Sequence, residues 1–331
     1  MYRQKKHVTV APALARMVFL AGALGAAVAT AQTYPSRTIR LVVPFSPGGA
    51  SDTAARIIGQ KLSERWGQQV VVENRPGAGG TIGTELAARA QPDGYTLLMG
   101  SSTELAVNPN LYPKLAYDTT RDFAPVALIA STPLLLVTHP SLPARSVKEL
   151  VALAKSHKEP MLYASSGNGS IHHITMEAFK AATRVDMTHV PYRGAGQSVP
   201  AMMSGEVMVA FLGYPAMSGA IKSGRLRVLG YSLARRSTLT PDVPTVAETV
   251  APGFDMAAPL GVFVAAGTRR EIVTRLSQSV NDAVRNPDVV TRMAAIGMVP
   301  VGLTPEQYEK NLREEHERLG VLIRRIGMRL D

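Results

Sequence analysis

The segment Pro44–Asp52 combines residue types and a spacing that suit the binding of an anion. It contains two prolines and the glycine pair Gly48 and Gly49, and a stretch with the apolar spacing of a helix follows it directly. Glycines let a ligand approach the backbone closely, and the first turn of a helix offers unpaired N–H groups with a partial positive charge. The segment therefore predicts either a plain strand-to-helix turn or an anion-binding corner made of backbone groups.

A second loop of small residues, Ser-Ser-Gly-Asn-Gly-Ser at 165–170, opens another helix in the middle of the chain. It includes Asn168, Gly169 and Ser170, and it follows a short apolar run as the first corner does. Two such corners, one in each half, are what a ligand cleft between two domains requires.

Other residues raise the possibility of a metal site or of nucleophilic catalysis. His173 and Glu177 lie one helical turn apart beside His172, but two ligands of this kind are too few for a zinc site, so we expect no metal. Ser170 and His173 are three residues apart and could touch, although no Gly-X-Ser-X-Gly motif is present. An exported α/β enzyme that uses Ser170 and His173 therefore stays open as an alternative.

The glycine-rich run 77–83 does not match a nucleotide-binding loop. It lacks the Lys-Ser/Thr pair of a P-loop, and Ile82 stands where the dinucleotide fingerprint needs its third glycine. The methionines at 202, 203 and 208 have no flanking histidines of the kind a copper site uses, which favours a role in packing. We expect no cofactor.

The elements that must position these residues alternate between short apolar strands and helices. The pattern predicts strands at 39–43, 70–73 and 95–99, and two strands within 124–137 because Pro133 interrupts that run. Ser146–Glu149 and Thr304–Gln307 match helix-capping sequences. The alternation indicates an α/β sheet whose ligands collect at the carboxyl ends of its strands.

The first 31 residues have the pattern of a secretory signal peptide. Four basic residues, Arg3, Lys5, Lys6 and Arg16, precede the apolar run 17–28 and the small residues 29–31. The apolar run is too short to span a membrane, so we expect an exported, soluble protein that starts near Gln32. Removal of these four residues lowers the formal charge from +11 to +7.

The composition limits the function classes further. The 331 residues suffice for two domains, and the scattered basic residues include no nucleic-acid motif, so we expect no nucleic-acid partner. A mild positive field suits an anionic small ligand. Because the chain has no cysteine, disulfides, thiolate nucleophiles and cysteine metal sites are excluded.

The chain resembles the solute-binding receptors of tripartite tricarboxylate transporters, also called the Bordetella uptake gene (Bug) family. The resemblance covers the whole mature chain and rests on ordered motifs. These motifs are 44–49 with Asp52, 72–80, 92–97, Gly169-Ser170 with His173, Glu177 with Phe179, 190–194, and 241–248.

The resemblance implies an α/β, two-domain fold of the periplasmic-binding-protein type (type II) with a ligand cleft between the domains. Domain 1 would comprise 32–132 plus 256–331, and domain 2 would comprise 133–255. In the family, backbone groups and ordered water hold the carboxylate of a small ligand at the two corners. The ligand-binding residues implied for this chain are Phe45, Ser46, Gly48, Gly49, Ser101, Ser102, Thr103, Asn168, Gly169, Ser170, Tyr192 and Gly194.

The implied function is a periplasmic receptor that captures a small carboxylate (a dicarboxylate or tricarboxylate, an amino acid or an aromatic acid) without catalysis. Its partners would be the membrane permease subunits of a tripartite tricarboxylate transporter, and a monomer is expected. A ligand-sensing accessory protein for a sensor domain is a further alternative. The chain departs from the family pattern at Met208, at Leu212 and at Ala258-Pro259-Leu260, which leads us to expect a less polar distal part of the cleft.

Overall fold

The computed structural model describes residues 1–4, 34–237 and 241–329. The predicted signal peptide, 1–31, lies outside the described residues except for its first four. The strands and helices belong to the compact unit Arg37–Asp331.

Ten strands are formed in the described part of the chain. They are β1 (Ile39–Val43), β2 (Val70–Asn74), β3 (Thr96–Ser101), β4 (Phe123–Thr138), β5 (Met161–Ser165), β6 (Met187–Pro191), β7 (Val209–Gly213), β8 (Arg227–Tyr231), β9 (Ala257–Ala265) and β10 (Val299–Pro300).

The helices follow the strands in alternation until the last third of the chain, which is mostly helical. They are α1 (Ala50–Trp66), α2 (Thr81–Ala88), α3 (Asn108–Leu111), α4 (Val147–Ser156), α5 (Ile171–Thr183), α6 (Ala195–Ser204), α7 (Tyr214–Lys222), α8 (Val246–Thr249), α9 (Arg270–Arg285), α10 (Pro287–Ala295) and α11 (Pro305–Arg325). A 3-10 turn at Ala78–Gly80 and a π-helical turn at Thr103–Val107 complete the set.

The strands form one mixed sheet in the order β2-β1-β3-β9-β4-β7-β5-β6, with β8 and β10 also paired to β4. β1 is parallel to β2 and β3, and β5 is parallel to β6 and β7. β9 is antiparallel to both β3 and β4. The central strands β9 and β4 thus separate two groups of parallel strands, β1 to β3 and β5 to β7. The helix-opening loop after β1 belongs to the first group, and the loop after β5 belongs to the second.

The strand β4 corrects one expectation from the sequence. Two strands separated at Pro133 were expected, but the structure has a single strand of 16 residues. Pro133 is tolerated because the pairing partner changes there: the register with β9 ends at Pro133, and the register with β7 begins at Leu134. A proline, which has no N–H to donate, fits where one ladder stops and the next begins.

The side chains of β4 are buried on both faces. Leu134 and Leu136 pack into one hydrophobic cluster, while Leu135 and Val137 pack into another. Burial on both faces explains why this stretch of sequence is an almost continuous apolar run. The change of strand partners, between Pro133 and Leu134, lies one residue after the predicted border between 132 and 133, and the domain boundaries themselves stay a prediction.

Both helix-capping sequences act as caps. The Thr304 hydroxyl accepts from the Gln307 N–H, and the Gln307 side chain accepts from the Thr304 N–H, which completes a capping box. Ser146 caps α4 by accepting from the Glu149 N–H, but the Glu149 carboxylate accepts from the Arg145 N–H and not from that of Ser146. None of the helices in the described ranges is long and apolar enough to cross a membrane.

Candidate ligand site

A small cavity of about 40 Å³ lies where several strands end and helices begin. Its lining joins residues that are far apart in the sequence, from the loop after β1 to the start of β9. The lining residues are Phe45, Gly49, Ala50, Ser51, Ser101, Thr103, Thr132, Leu134, Ser166, Ile171, His172, Ala195, Gly213, Ala258 and Leu260.

Four α-helices begin at this cavity. Gly49 precedes α1, Ile171 opens α5, Ala195 opens α6, and Gly213 precedes α7. No side chain caps the first turns of α1, α6 and α7. The N–H groups of an uncapped first turn carry a partial positive charge, equivalent to about half an elementary charge per helix. The cavity is therefore bordered by backbone groups that favour an anion.

The side chains around the cavity contribute no formal charge, since no Lys, Arg, Asp or Glu is among the lining residues. The one titratable lining side chain is His172, and burial lowers its pKa to about 4, so its imidazole is neutral near pH 7. A hydrogen bond of 2.6 Å joins its Nδ1 to the Ser166 hydroxyl. An anion in this cavity would be compensated by helix termini and neutral donors and not by an arginine clamp.

The loop 44–49 contacts the loop before α6 directly. The Ser46 N–H donates to the Arg193 carbonyl over 3.3 Å. Gly194 has a φ of +143°, and a Cβ added there would overlap the Ser46 hydroxyl and lie 3.0 Å from the Ser46 backbone nitrogen. Only glycine allows so close an approach at this position.

Two further contacts join the segments that follow β2 and β3 to the segment that follows β5. The Ile171 N–H, at the start of α5, donates to the Thr103 hydroxyl over 2.9 Å. The Gly79 backbone lies so close to the Asn168 carbonyl that a side chain at Gly79 would overlap it. The bond between Ile171 and Thr103 joins two residues that both line the cavity.

Four of the residues implied by the family resemblance line the cavity: Phe45, Gly49, Ser101 and Thr103. Ser46 and Gly194 contact each other, as described, and each is the chain neighbour of a lining residue, Phe45 and Ala195 respectively. The part of any of these residues in ligand binding stays a prediction.

The other implied residues have local partners and do not line the cavity. The Gly48 N–H donates to Asp52 over 3.0 Å, and the Tyr192 hydroxyl donates to Glu206 over 3.0 Å. The remaining contacts are Ser102 Oγ to Glu315 Oε1 at 2.7 Å, Gly169 N–H to His173 Nδ1 at 3.2 Å, His173 N–H to Ser170 Oγ at 3.2 Å, and Tyr112 hydroxyl to the Asn168 carbonyl at 3.5 Å.

Several lining residues were missed because their surroundings gave only weak signals. Gly213-Tyr214-Pro215 follows a buried strand and places proline near the start of a helix, a signature like that of the first corner. Ala195 also opens a helix directly after a glycine, Gly194. Thr132 has no such signature, because only the folded sheet brings it to the cavity, whereas Ser166 lies in the small-residue loop 165–170 that the sequence already indicated.

The expected positions of altered selectivity divide between the protein core and the cavity. Met208 packs against a core cluster, Leu212 is fully buried in another, and Pro259 pairs with Ser131 in the sheet. Ala258 and Leu260, which belong to the segment where a less polar cleft was expected, line the cavity together with Phe45 and Leu134.

Two buried carboxyl groups support the loop at the end of β3. The Ser101 N–H and hydroxyl both donate to Glu104 Oε2, and the Ser102 hydroxyl donates to Glu315. Burial raises the pKa of Glu104 to about 8 and that of Glu315 to about 7. Glu104 is therefore mostly protonated near pH 7, and it accepts both hydrogen bonds from Ser101 in a buried position.

The arrangement of Ser170 does not match that of an activated nucleophile. Its hydroxyl accepts from the backbone N–H of His173 and caps α5, while the His173 ring accepts from the Gly169 N–H. Burial and the stacked ring of His189, 3.6 Å away between centroids, lower the pKa of His173 to about 3. Among residues 34–237 and 241–329, no group of three His, Asp or Glu side chains is placed to hold a metal.

The fold and sequence are similar to those of known transport receptors. The profile described as the Tripartite tricarboxylate transporter family receptor (TctC) matches residues 54–328. Protein BugT of Bordetella pertussis is 38% identical over 314 residues, which cover 95% of this chain and 96% of BugT.

Solved structures extend the likeness to three dimensions. A protein of R. palustris solved with adipate has a TM-score of 0.87 and 33% identity, over 89% of this chain and 99% of its own. MatC of Rhodopseudomonas palustris, solved with bound malate, has a TM-score of 0.83 and 32% identity, over 88% of this chain and all of its own. The fold is thus that of the two-domain periplasmic binding proteins, and the chain belongs to the family of tripartite tricarboxylate transporter receptors.

Proposed function

We propose that this receptor captures a small carboxylate in the periplasm and delivers it, without catalysis, to the permease subunits of a tripartite tricarboxylate transporter. The observation that carries the proposal is the cavity at which four α-helices begin and whose lining has no charged side chain. Unpaired N–H groups and helix dipoles stabilise a bound carboxylate, and the effect grows in a site shielded from water. The adipate and malate of the two R. palustris structures are ligands of the same class.

The test is calorimetric titration of the mature protein with carboxylates and with the methyl ester of each. Malate, succinate, lactate and benzoate cover different sizes and charges. We expect at least one acid to bind and its uncharged ester to bind far more weakly, because the ester loses the charge that the helix termini stabilise. Equal binding of acid and ester, or no binding of any carboxylate, would refute the proposal.

Thermal unfolding provides an independent measurement. A ligand that binds only the folded state at 100 times its Kd stabilises that state by about 2.7 kcal/mol. Mass spectrometry of the molecule that copurifies with the protein would name the ligand directly.

The receptor and the enzyme alternative predict different results for Ser170→Ala. In a receptor the substitution weakens equilibrium binding, because it removes the cap of α5 beside the cavity. In an enzyme it also abolishes turnover of a substrate that the wild type consumes. Wild-type protein that leaves its bound carboxylate chemically unchanged over hours supports the receptor.

Export and partners complete the proposal. Signal peptidase would remove 1–31, so N-terminal sequencing of protein from the periplasm should begin at Gln32. The receptor would act as a monomer, which light scattering can check. Uptake of the ligand that depends on the receptor separates delivery to a permease from delivery to a sensor domain, because the sensor alternative predicts binding without uptake.

A further inference from the structure

Thr132 is a lining residue of the cavity that carries an unusual hydroxyl group. It lies in β4 opposite Ala258, its side chain is fully buried, and it borders the cavity. Within the described ranges, its Oγ1 has no hydrogen-bond partner. A buried hydroxyl that forms no hydrogen bond costs free energy, and a ligand with a polar group beside it would remove that cost.

A second threonine of β4 shows whether an effect at Thr132 arises from its place at the cavity or from any unpartnered hydroxyl in this strand. Thr138 is equally buried, and its Oγ1 also has no partner among the described residues. It does not border the cavity. Thr138 therefore offers a matched control for any substitution at Thr132.

The pair Ser166 and His172 adds a second neutral hydrogen-bonding group. Their bond of 2.6 Å occupies the His172 Nδ1 atom, and both residues line the cavity. A neutral imidazole bonded through Nδ1 keeps Nε2 as one further donor or acceptor, according to its tautomer. Together with Thr132, the pair can both donate to and accept from a ligand hydroxyl.

The remaining walls limit the charge that a ligand can carry. Phe45, Leu134, Ala258 and Leu260 are apolar, and no cationic side chain lines the cavity. The helix termini compensate one carboxylate, whereas a second carboxylate against neutral groups and apolar walls would lack a charged partner. The cavity thus combines an anion site, neutral polar groups and apolar surface.

We propose that the ligand is a small monocarboxylate with a hydroxyl or keto group, and that Thr132 and the Ser166–His172 pair select for that second group. This inference rests on the proposed function, since it names the class of carboxylate that the same site takes. It makes Thr132 a specificity-determining residue, with a role separate from that of the helix termini.

The test compares acids that differ only by a hydroxyl group. Calorimetry measures the Kd of lactate against propionate, 2-hydroxyisovalerate against isovalerate, and mandelate against phenylacetate, with malate and succinate as dicarboxylates. For the wild type we expect at least one hydroxy acid to bind about five- to tenfold more tightly than its deoxy analogue, the range for one neutral hydrogen bond. Every dicarboxylate should bind more weakly than that hydroxy acid.

Substitutions then assign the preference to a residue. Thr132→Val keeps the shape of the side chain and should reduce the hydroxyl preference to about twofold or less, with the affinity for the deoxy acid nearly unchanged. Thr138→Val should leave the preference as in the wild type. Thr132→Ser keeps the hydroxyl and should retain the preference. If Thr132→Val does not fold, Ser166→Ala tests the Ser166–His172 pair instead, because it removes the hydrogen bond to His172.

The outcomes separate this inference from the function on which it rests. Tighter binding of a dicarboxylate, no gain from the hydroxyl, or an unchanged preference in Thr132→Val would each overturn the inference and leave a carboxylate receptor in place. If none of these acids binds and other carboxylates also fail, the proposed function itself is wrong.

Discussion

Glu104 makes the stability of the protein depend on pH in a way that a single isosteric substitution should remove. Its side chain is fully buried, and Ser101 donates to its Oε2 through both the N–H and the hydroxyl. Its Oε1 has no hydrogen-bond partner among the described residues. Glu104→Gln has nearly the shape of the protonated acid and cannot ionise, so it keeps the contact with Ser101 without the cost of a buried charge.

The magnitude follows from the pKa. Burial raises the pKa of Glu104 from 4.5 to about 8, so between these values the folded protein binds a proton that the unfolded chain has released. The stabilising contribution is complete below pH 4.5 and is lost as the pH rises towards 8. At about 1.4 kcal/mol per pKa unit, the free energy of unfolding should fall by about 4 kcal/mol between pH 5 and pH 9 through this group alone.

Urea unfolding at a series of pH values measures this dependence. The free energy of unfolding of wild type relative to that of Glu104→Gln should fall by about 4 kcal/mol from pH 5 to pH 9. The lowered pKa values of His172 and His173 and the raised pKa of Glu315 change the stability of both proteins alike and cancel in this difference. Glu309→Gln, on the exposed surface of α11, is the control and should follow the wild type. Parallel curves for wild type and Glu104→Gln would refute the reasoning, because they would mean that Glu104 ionises in the folded protein at its usual pKa.

Three other substitutions test the contacts around the cavity and the caps. Gly194→Ala should weaken ligand binding by tenfold or more in calorimetry, because its Cβ would overlap Ser46; Gly219→Ala, in open space within α7, is the control and should bind normally. Ser170→Ala should lower the free energy of unfolding by about 1 kcal/mol through loss of the α5 cap, and an unchanged urea midpoint would contradict that role. Thr304→Ala should cost a similar amount at α11 without changing ligand affinity, so a loss of affinity would show that the two regions are coupled.

Most of the fold could be predicted from local patterns, because strands and helices here follow the apolar periodicity closely. Ile39–Val43, Val70–Asn74 and Pro305–Arg325 all begin within one residue of the expected positions. Pro133 was misread because a proline ordinarily interrupts a strand, and its tolerance depends on a change of sheet partner that no local pattern encodes.

The candidate site was less predictable than the fold. The glycine corner at Gly49 could be found because glycines before a helix have a direct physical use. Thr132 could not, since its place at the cavity depends on pairing between strands that are distant in sequence. Ser102 and Tyr192 were expected at the ligand, but each donates its hydroxyl to a glutamate outside the cavity lining.

The use of helix termini instead of charged side chains at the cavity also bears on how such a receptor can change its ligand during evolution. Backbone N–H groups are present in every variant that keeps the fold, so most substitutions cannot delete the part of the site that would hold the carboxylate. Lining side chains such as Thr132, Leu134 and Ala258 can vary independently of it. Gene duplication could therefore yield receptors for many different acids by a few exchanges at these walls, each intermediate retaining the capacity to bind a carboxylate.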